Sequence, residues 1–121
     1  MLTDAAVAAI EAWRDADPDP ATAMALGNLL DKALAGDTNA EAELADAFAG
    51  RLAFGTAGLR AALGPGPNRM NRVVVSQAAA GLARWLVASG HEGAKVLIGY
   101  DARYNSDVFA RDTAEILAGH G

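Results

Sequence analysis

Cysteine is absent from the chain, so neither a disulfide framework nor a thiolate metal site can form. Runs of basic residues are absent too: no Arg or Lys has a basic neighbour, and the formal net charge is −5. That balance lacks the positive footprint of nucleic-acid binders, so nucleic acid is not an expected partner. No apolar stretch approaches the ~20 residues that span a bilayer. Met1 to Ala8 carries Asp4 where a signal peptide would carry Lys or Arg. No membrane partner is expected, and the cytoplasm is the expected location. Aromatic residues make up only 6% of the chain, and Ala supplies much of its 52% hydrophobic fraction, so each helix buries modest apolar area. The 121 residues suffice for one ordinary domain.

What is present reads first as helix. Thr3 can cap a helix from about Asp4 to Ala16 with Val7, Ile10 and Trp13 at helical spacing, stopped by Asp17-Pro18-Asp19-Pro20. Asp19 with Pro20 opens a second helix, in which Leu26, Leu29, Leu30 and Ala33 form one face and Gly36 closes the turn. Thr38-Asn39-Ala40-Glu41 has the capping-box pattern, and a short helix to about Phe48 follows, with Leu44 and Phe48 inward. The texture then changes. Arg51 to Phe54 is brief and partly apolar, and Gly55 to Asn71 is a long loop rich in Gly, Pro and Asn.

Asn71 can cap a helix through Ser89, with Val75, Ala78, Ala79, Leu82 and Leu86 on its buried side. Ala94 to Tyr100 is apolar except for Lys95, flanked by turn residues, and suits a buried parallel strand. Ser106 then caps a last helix whose Phe109, Thr113, Ile116 and Leu117 face one way. Helix, strand, helix after a helical preamble predicts an α/β fold wound with right-handed crossovers.

Phe54-Gly55-Thr56-Ala57-Gly58-Leu59-Arg60 places an Arg just past a turn that two glycines permit, with a short hydroxyl beside it. A guanidinium offers two parallel N–H bonds to a phosphate, so Arg60 reads either as a phosphate ligand or as a solvated loop residue. Tyr100-Asp101-Ala102-Arg103 follows the predicted strand, where open α/β sheets bind ligands. Asp101 and Arg103 read either as ligand contacts or as a local ion pair. Asn68-Arg69-Met70-Asn71 brings a cation to a helix start, with capping by Asn71 as the plainer role. His91 and His120 stand in loops with no second ligand at metal spacing.

Together these motifs resemble the α-D-phosphohexomutases, in particular the phosphoglucomutase and phosphomannomutase branch that carries an N-terminal helical extension. The resemblance rests on Trp13 with Asp17-Pro18-Asp19-Pro20 and Thr22, Phe54 to Arg60, Asn68 to Asn71, and Gly99-Tyr100-Asp101-Ala102-Arg103-Tyr104-Asn105-Ser106. It implies a helical extension over residues 1–50 and an incomplete first α/β domain over 51–121. It implies an enzyme in which a phosphoserine hands its phosphate to a sugar phosphate through a hexose 1,6-bisphosphate, with Mg²⁺ in the full-length form. Carried across, Arg60 faces the phosphosugar, Thr56 belongs to the same turn, and Asp101 and Arg103 support the active-site wall.

Two departures accompany the resemblance. Ala61 stands where the family has Gly directly after its Arg, so any positive φ there would be costly. None of Ser76, Ser89 and Ser106 lies in the Thr-Ala-Ser-His-Asn-Pro setting of the phosphoserine loop, nor is an Asp-rich magnesium loop present. The segment is therefore expected to be inactive alone, with partly exposed strands and self-association. A phosphopentomutase is the alternative enzyme. A non-catalytic interaction module is the alternative class, excluded if the coding sequence continues into those two loops.

Overall fold

Helix formers followed by explicit stop signals dominate the first half of the chain, and the computed structural model, which describes residues 1–121, has helices wherever those signals bracket an apolar stripe. The helix α1 spans Asp4–Ala16, with the Thr3 hydroxyl accepting from the Ala6 N–H. Its companions are α2, Pro20–Leu34, and α3, Thr38–Ala47. Asp17 and Asp19 shape the α1–α2 corner: Asp17 accepts from the Asp19 N–H and the Thr22 hydroxyl, while Asp19 accepts from the Ala21 N–H. Asp37, rather than Thr38, caps α3, its Oδ1 accepting from the N–H groups of Asn39 and Ala40. A carboxylate one residue earlier is the better acceptor for a helix N-terminus, and it displaces the expected capping box.

Ile10, Leu26, Leu30, Ala33, Ala40 and Leu44 form the core of this helical layer, with Trp13 and Phe48 meeting edge to face at 6.1 Å against it. Residues 51–71 pack with these helices, and together they make a first compact unit, Met1–Asn71.

The second unit, Arg72–Gly121, contains α4, Arg72–Ala88, packed on α5, Ser106–Gly119. On α4 the small residues Ala79 and Ala83, one turn apart, are buried, while Leu82 is exposed. The buried stripe is thus rotated from the expected Val75–Leu82 face.

The expected α/β character is corrected in one respect. Neither Arg51–Phe54 nor Ala94–Tyr100 is a paired strand, and the only β-type pairings are Gly55 with Gly58 and Leu63 with Met70. A strand exists by exchanging backbone hydrogen bonds with a neighbour, and residues 95–100 have none. The segment is extended, with Leu97 99% exposed and Val96 and Tyr100 also open to solvent. No helix is long and apolar enough to cross a membrane.

Candidate functional site

The turn before Arg60 closes on itself: Gly55 N–H donates to Gly58 O at 2.9 Å and Gly58 N–H to Gly55 O at 3.3 Å. Gly58 holds a φ of 116°, a conformation that side-chain-bearing residues rarely adopt, which is why the second glycine is needed. Thr56 and Ala57 form the tip and are exposed. Arg60 emerges just beyond, exposed and in no ion pair within the chain. Its guanidinium is therefore available to an anion. Ala61 has no positive φ, so the absence of Gly there strains nothing.

The ends of this turn segment are tied down by contacts that local sequence reasoning missed. Leu52 N–H donates to Pro67 O at 3.1 Å, Met70 N–H to Ala62 O at 2.8 Å, and Gly64 N–H to Met70 O at 3.1 Å. The Asn71 side chain, 2% exposed, donates to Gly64 O and Gly66 O, each at 2.8 Å. Arg69, read from the sequence as a cation beside a helix start, instead pairs with Asp46 at the end of α3, Nη2 to Oδ2 at 2.5 Å. A partner 23 residues away leaves no local signal.

In the second unit, Asp101 organises the loop that leads into α5. Its Oδ1 accepts from the Arg103 N–H at 3.1 Å and the Ser106 hydroxyl at 2.8 Å, and its Oδ2 from Arg103 Nε at 2.7 Å. The local ion pair is thus the arrangement present, and both partners are exposed. Ser106 is not the helix cap. That place belongs to Asn105, in the left-handed region at φ 65° with no side-chain capping bond, while Ser106 is the first residue of α5 and donates its hydroxyl to Asp101. Thr56 and Arg60 are thus brought together in one unit, and Asp101 and Arg103 in the other.

The Ser106 hydroxyl, then the Arg103 backbone and side chain, hold the Asp101 pKa below its usual value. A depressed carboxylate pKa means that the loop contacts are at full strength above the unfolded value of about 3.9 and are lost as pH falls through the lowered one. Titrated by NMR, the Arg103 and Ser106 amides should show one transition centred below about pH 3.9. Asp101→Asn should abolish it; a midpoint at or above that value would remove the proposed role of the three hydrogen bonds.

No group of three or more His, Asp and Glu residues is placed to hold a metal ion.

Compared with known proteins, residues 51–121 match the family model described as phosphoglucomutase/phosphomannomutase, alpha/beta/alpha domain I. A probable phosphomannomutase of Haemophilus influenzae is 65% identical over 52 residues, covering 43% of this chain and 10% of that protein. A phosphoglucomutase of Staphylococcus saprophyticus is 40% identical over 85 residues, 70% of this chain and 15% of that protein. A probable phosphoribomutase of Schizosaccharomyces pombe is 45% identical over 73 residues, 59% of this chain and 12% of that protein. The chain thus spans 10–15% of the length of these relatives. No solved structure matches it.

Proposed function

Because this chain belongs to the phosphoglucomutase/phosphomannomutase family, we propose that it is the N-terminal part of a mutase that interconverts hexose 1-phosphate and hexose 6-phosphate. In this reading a phosphoserine elsewhere in the whole protein transfers its phosphoryl group to the free hydroxyl of the sugar phosphate. The resulting hexose 1,6-bisphosphate turns over and returns its other phosphate to the serine. The names of the relatives support the reaction class. Magnesium belongs to the proposal for the whole protein. In this reading none of Ser76, Ser89 and Ser106 is the phosphoserine, since none stands in the family's Thr-Ala-Ser-His-Asn-Pro setting.

The observation that carries the proposal is Arg60, exposed, free of any carboxylate partner and presented by a turn that the paired glycines close. A guanidinium so placed can take a phosphate with two parallel N–H bonds, and its charge persists at every physiological pH. Thr56 contributes a hydroxyl at the tip of the same turn; Asp101 and Arg103, in the other unit, keep the supporting role that the family resemblance implies, their ion pair holding the loop into α5. Replacing Arg60 by Lys in the whole protein keeps the charge but loses the fork. The expected result is an increased requirement for added glucose 1,6-bisphosphate and turnover lower by about ten-fold or more. Unchanged bisphosphate dependence would assign Arg60 a structural role only.

The match to a probable phosphoribomutase favours a second reading, in which the sugar is a pentose phosphate. Parallel rates on glucose 1-phosphate, mannose 1-phosphate and ribose 1-phosphate decide between them.

A further inference from the structure

The helices before residue 51 lie outside the family match, yet the end of α3 is bonded to the loop that fixes the Arg60 turn. The carbonyls of Asp46 and Ala47 are among the last of α3, beyond the reach of regular helical bonding; Asp46 O accepts from the Ala49 N–H of the closing turn at 3.2 Å, while Ala47 O has no donor from that turn. Asn68 takes both: its Nδ2 donates to Asp46 O at 3.0 Å and its N–H to Ala47 O at 2.9 Å. Arg69 adds a cation at the negative end of the helix, pairing with the Asp46 carboxylate and donating to Asn68 O at 3.1 Å. An acidic side chain at a helix C-terminus is unfavourable alone, and the pairing with Arg69 offsets that. Gly66 lies so close to Ala47 that a Cβ would stand 2.8 Å from its carbonyl oxygen. The strip thus clamped, residues 66–70, is the one that receives the Leu52 N–H at the start of the turn segment and bonds Ala62 at its end.

We infer that α3 is a positioning element for the Arg60 turn, acting through Asp46, Asn68 and Arg69. Substrate touches none of the three. They set where the turn stands, and the inference rests on the reading of Arg60 as a phosphate contact. Misplacing a binding group by about 1 Å is enough to lower its contribution substantially.

The test uses the whole mutase that carries this chain, with added glucose 1,6-bisphosphate as the probe. Asp46→Ala and Asn68→Ala should each raise the bisphosphate concentration for half-maximal turnover by about ten-fold, with saturated turnover changed much less. Arg69→Lys, which keeps the charge without the fork, should shift it less in the same direction and serves if Asp46→Ala does not fold. Exchanging the charges in Asp46→Arg with Arg69→Asp should restore the requirement to within about two-fold. A lower melting temperature with unchanged bisphosphate requirement would make the clamp merely structural and overturn the inference. So would a requirement that moves with Arg60→Lys but with none of the clamp variants. If Arg60→Lys itself leaves the requirement unmoved, the reading of Arg60 fails instead.

Discussion

Gly66→Ala is expected to destabilise the first unit by about 3 kcal/mol, more than the same change at any other glycine of the chain. Two costs coincide there. Gly66 holds a φ of 108°, which strains any L side chain, and a Cβ would stand 2.8 Å from Ala47 O and 3.1 Å from Ala47 Cβ. The obstructing atom is backbone at the end of α3, which cannot swing aside as a flexible side chain would. Gly58→Ala is the control, since Gly58 has a φ of 116° but nothing within 4 Å of its would-be Cβ. It should cost only the backbone strain, about 1–2 kcal/mol. Urea unfolding of both variants separates the effects. Equal losses would mean that the loop moves away from Ala47 without penalty, and that the close approach contributes nothing of its own.

The same comparison shows where local sequence rules suffice. The stop at Asp17-Pro18 and the start at Asp19-Pro20 are fixed by backbone sterics within a few residues, and α1 and α2 begin and end where those rules put them. Choices between adjacent polar residues are harder. Asp37 outcompetes Thr38 as the cap of α3, because an ionised acceptor outbids a neutral one at equal reach, and α5 begins at Ser106 itself, so the cap position falls on Asn105. The rotation of α4 was not legible because apolar residues occupy nearly all its sides, so periodicity names no single face. Arg72, Ala79 and Ala83 share the stripe that faces α5, and a long-range partner for Arg72 settles it.

For the candidate site, the Gly55–Gly58 turn and the exposure of Arg60 were readable because both are local. What holds the turn was not, since Asp46 and Arg69 meet across 23 residues. Ala94–Tyr100 has the residue pattern of a buried strand, but pattern describes a preference for partners and cannot supply them. In this chain its backbone remains extended and unpaired.

The pairing that orients α4 yields the second large effect, through Arg72→Met. Asp112, in the middle of α5, is only 6% exposed, and Arg72 grips it with Nε to Oδ2 at 2.7 Å and Nη2 to Oδ1 at 2.9 Å. Arg72 is the first residue of α4, where the helix field disfavours a cation, so local propensity does not account for it. Removing the guanidinium leaves a carboxylate away from water without its main partner, and such a break costs about 3–5 kcal/mol. Arg72→Lys should cost less, since one charge remains although the fork is lost. Replacing both groups, Arg72→Met with Asp112→Leu, should recover most of the loss, because two apolar side chains carry no desolvation cost. Denaturant unfolding of the four combinations gives the coupling directly. Additive single losses, with no recovery in the double variant, would mean that Asp112 is served by water or by other partners, and that the interface of α4 and α5 owes its orientation to the small buried residues alone.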